Sequence, residues 1–255
     1  MKNYKMILEY DGSRYNGWQK QGNTDNTIQG KLETTLSRFF EQPIEIHGSG
    51  RTDAGVHALG QVANFKVDTK LDPKNFSLNA TEIYNNLYKY FPEDIRILSL
   101  EEVDNRFHAR LNAKEKTYRY TICLSQAAPV FNRKYCMLLP KKVDVDLMKS
   151  ASRKFLGTHD LLGFSDTKTK KSTVRTIHSI TFTEELVNSD KYIYIDYTGD
   201  GFLYHTVRLI TGTLLSIGLH DSDENIIDQI LSTNNRKQVP FMAPANGLSL
   251  IEVRY

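Results

Sequence analysis

The sequence predicts an α+β protein of two ferredoxin-like (RRM-like) halves, residues 1–103 and 104–255, whose mixed, mostly antiparallel sheets join and leave a central cleft. Strand-like and helix-like patterns in the first half follow the order strand, helix, strand, strand, helix, strand. The same order recurs in the second half with insertions. RNA-recognition modules share this order, but many unrelated functions use it too, so the order alone does not predict RNA binding.

In the first half, alternation of apolar and polar residues predicts four strands, at 4–10, 44–47, 61–67 and 95–100. Thr27 is a suitable cap for a helix that ends near Phe40, with an apolar stripe along one side. Asp72 followed by Pro73 predicts the start of a second helix, which ends near Tyr90. These elements complete one half.

In the second half, similar alternation predicts strands at 116–124, 135–139, 174–184, 192–198 and 248–253. Asp144 predicts the start of a helix that Gly157 stops. A longer helix is predicted from about Leu203 to Leu219, and a short one over 223–232. The second half therefore repeats the first, with additional segments.

Charge and cysteine content set only broad limits on function. The chain has 255 residues, with 33 Lys and Arg against 30 Asp and Glu, a net charge of +3. Basic clusters such as 133–134 and 168–171 are weak indications of a polyanionic partner. Cys123 and Cys136 lack metal-ligand spacing and predict buried thiols in a reducing compartment. No run of ~18 apolar residues occurs, so we expect a cytoplasmic protein without a membrane span.

A glycine-rich stretch contains one carboxylate and one guanidinium, Asp53 and Arg51, flanked by Gly48, Gly50 and Gly55. Glycine lets a ligand approach the main chain closely, and an arginine two residues away can hold a carboxylate in its ionised form. The alternative is an ordinary tight turn in which Asp53 caps a backbone N–H and Arg51 is solvated. Taken by itself, this stretch favours that alternative.

Seven short motifs occur along the chain. They are GWQKQ at 17–21, TIQG at 27–30, GSGRTDAGVHA at 48–58, FHAR at 107–110, KTYRY at 116–120, FLYH at 202–205 and GLSL at 247–250. Together and in this order, they resemble the motifs of the tRNA pseudouridine synthase A (TruA) family. The resemblance spans Tyr4 to Tyr255, and its RTDAGVH block is highly specific. It changes the preferred interpretation of Asp53 from a turn residue to a catalytic one.

The resemblance implies isomerisation of uridine to pseudouridine at positions 38, 39 and 40 of the anticodon stem-loop of tRNA. It also implies a homodimer, a basic cleft and no metal or organic cofactor. One alternative is a non-catalytic RNA-binding module of the same fold. Another is a phosphate-ester hydrolase with a nucleophilic aspartate, but such enzymes usually need a metal, and no acid cluster surrounds Asp53 in the sequence.

The resemblance assigns three catalytic residues. Asp53 matches the catalytic carboxylate, and whether it attacks the sugar or removes a ribose proton stays open. Tyr118 matches a tyrosine that stacks on the base and can remove the C5 proton; otherwise it is a core residue. Arg208 matches the arginine that pairs with the aspartate and keeps it ionised; otherwise it is a helix-surface residue.

Four further residues are expected to contact the substrate. Arg51 can fill the space that the target nucleotide leaves when it is extruded from the stack. Leu248 or Leu250 packs against the target base, and His57 contacts the RNA or has a structural role.

His108 and His205 are likewise expected to be structural or RNA-contacting rather than catalytic. Thr206 and Leu209 stand where the family commonly has methionine and asparagine. Which uridine or tRNA is preferred therefore stays open.

Overall fold

The computed structural model describes residues 1–71, 79–168 and 171–255. They form two compact units, Met1–Lys114 with Leu250–Tyr255, and Glu115–Ser249. Each unit combines helices with a mostly antiparallel sheet, which confirms the predicted α+β class. The finer prediction, ferredoxin-like halves divided at residue 103 with joined sheets and a basic cleft, stays a prediction.

The strands of the described chain are β1 (Lys2–Tyr10), β2 (Ile46–Gly48), β3 (His57–Val67), β4 (Ile95–Val103), β5 (Glu115–Leu124), β6 (Met137–Leu138), β7 (Gly157–Asp160), β8 (Val174–Val187), β9 (Asp190–Gly199) and β10 (Leu248–Arg254). The α-helices are α1 (Ile28–Phe40), α2 (Ala80–Leu87), α3 (Val145–Ser152), α4 (Thr206–Gly218) and α5 (Asn225–Thr233). Among the described residues, no helix combines the length and apolarity needed to cross a membrane.

The first unit is built around β1, which pairs antiparallel with both β3 and β4. β2 pairs antiparallel with β3, as the register Ile46 to Phe65 shows. One face of this sheet is apolar and packs on the helices, where the rings of Phe40 on α1 and Phe65 on β3 lie 5.9 Å apart. Because side chains alternate along a strand, Asn64 and Lys66 lie on the opposite face of β3. That face is polar.

The two helices of the first unit begin at identifiable caps. Thr27 Oγ1 accepts a hydrogen bond from Gly30 N at 3.1 Å, as the predicted start of α1 requires. Asn79 Oδ1 accepts from Thr81 N at 2.9 Å and caps α2. The start predicted for this helix at Asp72 and Pro73 lies outside the described residues.

The second unit has the strand order β5-β9-β8-β7, all antiparallel, with β6 pairing parallel to β5. α4 is buried along all of its 13 residues and forms the centre of this unit. It was predicted to begin near Leu203 but begins at Thr206, because His205 has a φ of +69° and cannot continue a right-handed helix. β7 was not predicted; a strand of 4 residues is too short to show a period.

Candidate active site

Asp53 lies in a tight turn of the first unit, immediately before β3. Val56 N donates a hydrogen bond to Asp53 O at 3.1 Å and closes the turn. Gly55 inside the turn has a φ of +78°, a conformation that a residue with a Cβ atom adopts only with strain. The Asp53 side chain is half-buried. The turn therefore fixes the main chain on both sides of a carboxylate that is still partly accessible.

Thr52 ties this turn to the core through two of its atoms. Its carbonyl oxygen accepts a hydrogen bond from Trp18 N at 2.9 Å. Its Oγ1 lies 2.8 Å from the hydroxyl oxygen of Tyr10, and both side chains are buried. Burial raises the pKa of Tyr10 to about 12, so this phenol remains a neutral hydrogen-bonding group at pH 7.

Trp18 is a structural support of the turn, with 2% of its surface exposed. Its indole lies directly over Gly48, where an added Cβ would come within 2.5 Å of the ring. Glycine at 48 is therefore required by close approach of the ring. The only tryptophan of the chain thus anchors the loop in the core.

Gln61 on β3 holds Ser49 and Gly50, which precede Asp53 in the same loop. Its Oε1 accepts from Ser49 Oγ at 2.7 Å, and its Nε2 donates to Gly50 O at 3.0 Å. Buried polar networks of this kind fix one geometry, because each broken bond leaves a polar group unsatisfied. The sequence pattern marks Gln61 only as a polar residue on a buried strand, so its role could not be predicted.

Arg51 is exposed at the rim of the loop, and its Nε donates to Gln19 Oε1 at 2.9 Å. His57 is buried, with Nδ1 3.1 Å from Gly12 N and 3.2 Å from Asp11 Oδ1. A main-chain amide can only donate, so Nδ1 acts as the acceptor and the ring proton resides on Nε2. His57 is thus held at the start of β3 by its contacts with Gly12 and Asp11.

Tyr118 lies in the second unit, on β5 opposite Tyr197 of β9. Its ring meets Phe202 edge to face, with centroids 5.4 Å apart. It is 8% exposed, whereas Tyr120 on the same strand is fully buried. The Tyr120 hydroxyl donates to Pro244 O at 2.8 Å. Of the two tyrosines in the KTYRY motif, only Tyr120 lies fully in the core.

Arg208 lies in the first turn of α4 and is 9% exposed. Its Nε donates to Ala243 O at 2.8 Å, and its own carbonyl oxygen accepts from Ala243 N at 3.1 Å. Burial raises the pKa of Tyr120, and the positive charge of Arg208 opposes this effect. A guanidinium so buried and so held is unlike a solvated arginine on a helix surface.

Comparison with known sequences identifies the family. The model of a family described as tRNA pseudouridine synthase matches residues 6–112 and 151–255. The chain belongs to the tRNA pseudouridine synthase family. This confirms the predicted family and, with it, the predicted enzyme class.

Individual relatives match over the whole chain. A tRNA pseudouridine synthase A of Bacillus sp. (strain KSM-64) is 47% identical over 251 residues, 98% of each chain. A tRNA pseudouridine synthase A 2 of Bacillus cereus (strain ZK / E33L) is 44% identical, and a tRNA pseudouridine synthase A of Acetivibrio thermocellus is 41% identical, each covering 100% of both chains. A solved CRISPR-associated protein from Thermus thermophilus matches with 8% identity over 86% of this chain and 97% of its own and a TM-score of 0.18, too low to relate the folds.

The structure distributes the predicted site residues between the two units. Asp53, Arg51 and His57 belong to one loop and the start of β3 in the first unit. Tyr118 and Arg208 belong to the second.

The two predicted leucines lie at the start of β10. Leu248 belongs to the second unit and is 5% exposed; Leu250 belongs to the first and is fully buried. Their contact with a base stays a prediction.

One further cluster before α4 was not predicted. His205 Nδ1 lies 2.6 Å from Asp166 Oδ2, and Arg236 Nε donates to Asp166 Oδ1 at 2.8 Å. The carboxylate thereby holds His205 in its left-handed conformation, at the residue where α4 begins. In the sequence, Asp166 is 39 positions from His205 and 70 positions from Arg236, so no local pattern could have indicated the cluster.

Proposed function

We propose that the chain isomerises uridine to pseudouridine in tRNA, at positions 38, 39 and 40 of the anticodon stem-loop, with Asp53 as the catalytic carboxylate. The observation that carries this proposal is the construction of the Asp53 turn in a chain of this family. Hydrogen bonds made by Thr52, Trp18 and Gln61 hold the segment around one half-buried acid in place. Such pre-organisation is what a reacting group requires, since small displacements lower catalytic rates strongly.

The reaction exchanges one bond of the ribose for another. The C1′–N1 bond breaks, the uracil turns, the C1′–C5 bond forms, and the proton on C5 is lost while N1 gains one. No oxidant or reductant is consumed. Asp53 acts either as a nucleophile at the sugar or as a base on a ribose proton, and both roles need the ionised carboxylate.

Three further side chains assist Asp53 in the proposed reaction. The Tyr118 ring supports the base and its hydroxyl removes the C5 proton, with Phe202 fixing the ring orientation by its edge-to-face contact. Arg208 supplies the positive charge that keeps Asp53 ionised, and its bond to Ala243 O restricts the side chain. Arg51, exposed and held by Gln19, takes the place of the extruded nucleotide in the stack.

The remaining expectations also belong to this proposal. Leu248 or Leu250 packs against the target base, and His57 orders the loop that carries Asp53. The chain acts in the cytoplasm as a homodimer without a cofactor, in two ferredoxin-like halves. A monomer with full activity, seen by light scattering at micromolar concentration, would contradict the dimer.

The test is release of tritium from tRNA labelled at uridine C5, with pseudouridine mapped at positions 38, 39 and 40. Asp53→Asn keeps the shape of the side chain but removes its charge, so activity should disappear while tRNA affinity changes by less than about tenfold. Asp25→Asn is the matched control, because Asp25 is an exposed acid of the same unit. It should keep wild-type turnover.

Three results would contradict the proposal. Turnover by pure Asp53→Asn protein would remove Asp53 from the mechanism. Tight tRNA binding by the wild-type protein without any tritium release would favour the non-catalytic RNA-binding alternative. Activity on a phosphate ester that is lost on chelation would instead favour the metal-dependent hydrolase.

A further inference from the structure

Two histidine rings of the first unit stack on the polar face of its sheet. The rings of His47 and His108 have centroids 4.8 Å apart and planes inclined by 25°. His47 comes from β2, where it pairs with Asn64, and His108 comes from the segment that follows β4. Neither residue has a part in the proposed reaction. The stack therefore needs a separate explanation.

Two buried amides hold the segment that carries His108. Asn3 and Asn64 are 0% and 1% exposed, and Asn64 Nδ2 donates to Asn3 Oδ1 at 3.0 Å. Asn3 Nδ2 donates to the carbonyl oxygens of Asp104 and Phe107, each at 2.9 Å. Burying two amides costs free energy unless their bonds are made, so this network specifies one position for a non-repetitive segment.

The network continues into the turn around His108. Ala109 N donates to Asn64 Oδ1 at 2.8 Å, and Ala109 is buried. Arg110 N donates to His108 Nδ1 at 3.1 Å. Since Nδ1 is thereby an acceptor, the ring proton of His108 resides on Nε2, and neutral His108 keeps one N–H donor. The sheet thus presents a donor in a fixed place.

Two cationic side chains, Lys66 and Arg110, lie near this donor. Burial lowers the pKa of His108, and the neighbouring His47, Arg110 and Lys66 lower it further, although a hydrogen bond with its own main chain opposes them. Lys66 and Arg110 are both exposed. Cations gathered at one place repel each other, and an anion bound among them relieves that repulsion.

We propose that His47, Lys66, His108 and Arg110, here called the histidine patch, bind a phosphate group of the RNA backbone. Lys66 and Arg110 neutralise the phosphate charge, and His108 Nε2–H donates a hydrogen bond to one of its oxygens. His47 holds the His108 ring in place by stacking. This inference rests on the proposed function, which supplies the RNA ligand, and it adds a phosphate site to it.

Binding of full-length tRNA across a salt series tests the patch. Lys66→Gln and Arg110→Gln each remove one exposed charge, so each should weaken binding about fivefold at 150 mM salt and lower the salt slope by about 1. His108→Asn keeps an acceptor for Arg110 N but loses the Nε2–H donor. It should weaken binding and leave the slope unchanged, because no charge is removed.

Lys89→Gln is the matched control, because Lys89 is exposed on the 3-10 turn that follows α2. It should bind tRNA with wild-type affinity and slope. If Lys66→Gln and Arg110→Gln match this control, the patch does not bind RNA; these two exposed variants decide the question even if His108→Asn fails to fold. Tritium release by the wild-type protein is measured separately, so failure of the proposed reaction is distinguished from failure of the patch.

Discussion

Replacing Tyr10 by phenylalanine tests whether one buried hydroxyl positions the Asp53 turn. The Tyr10 hydroxyl oxygen lies 2.8 Å from Thr52 Oγ1 and 3.5 Å from Gln61 Nε2. Tyr10→Phe keeps the ring, whose centroid is 6.1 Å from that of Trp18. The variant leaves the buried Thr52 hydroxyl without this partner, at a cost of about 1–3 kcal/mol in the free energy of unfolding.

A double-mutant cycle gives the magnitude of this interaction. Thr52→Val alone should cost a similar amount, because it leaves the Tyr10 hydroxyl buried without its closest partner. Tyr10→Phe with Thr52→Val removes both groups, so its loss should fall short of the sum of the single losses by about 1 kcal/mol. Urea unfolding with fitted slopes measures all four proteins.

The same variants link stability to catalysis. Thr52 precedes Asp53 directly, and a displacement of about 1 Å of a reacting group can lower turnover about 100-fold. We therefore expect Tyr10→Phe to lose turnover as well as stability. Additive losses in the cycle would show that the two hydroxyls do not depend on each other. Lost stability with wild-type turnover would show that the pair supports the fold without positioning Asp53.

Three further variants test the second unit. Tyr118→Phe keeps the ring, so tRNA affinity should persist while release of C5 tritium stops; wild-type turnover would show that the hydroxyl is not the base. Arg208→Met keeps the volume but removes the charge, so turnover should fall at least about 100-fold, and a wild-type rate would contradict the proposed pairing. Although burial of Asp166 opposes ionisation, hydrogen bonds from His205 and Arg236 lower its pKa, so this carboxylate stabilises the fold above the unfolded-state pKa of about 3.9. Asp166→Asn should therefore lower the urea midpoint at pH 7, with the difference from wild type shrinking between about pH 5 and 3; a constant difference would contradict the linkage.

Local features of the fold could be predicted from the sequence because they depend on neighbours along the chain. Thr27 caps α1 as its position before an apolar stripe predicts. The alternation that predicts a strand at 116–124 is present in β5, where Tyr118 and Tyr120 lie on the buried side. Period and capping chemistry are properties of a few consecutive residues, so one sequence is sufficient to show them.

The supports of the site could not be predicted because their partners are far apart in sequence. Tyr10 and Thr52 are separated by 42 positions, and His205 and Asp166 by 39. Polar residues on buried strands, such as Gln61, look like exceptions to the apolar pattern until the fold brings their partners close. The motifs indicate Asp53 as the candidate catalytic carboxylate, whereas the bonds that hold its turn became visible only in three dimensions.

Replacing Thr206 by valine is predicted to stabilise the protein, whereas Tyr10→Phe and Asp166→Asn are predicted to destabilise it. Its side chain is 1% exposed, and its Oγ1 has no hydrogen-bond partner among the residues that the structure describes. A buried hydroxyl without a partner destabilises a fold by roughly 1–3 kcal/mol. Valine has the same shape and branching, so Thr206→Val should raise the free energy of unfolding by about 1 kcal/mol.

Thr213 is the matched control in the same helix. It is fully buried too, but its Oγ1 donates to Leu209 O at 3.0 Å. Thr213→Val loses a hydrogen bond that is made and should be neutral or destabilising by up to about 1.5 kcal/mol. The two substitutions thus exchange the same atoms in one buried helix, and only Thr206→Val should raise the urea midpoint. If Thr206→Val destabilises as much as Thr213→Val, the Thr206 hydroxyl has a partner, for which an ordered water is the natural candidate.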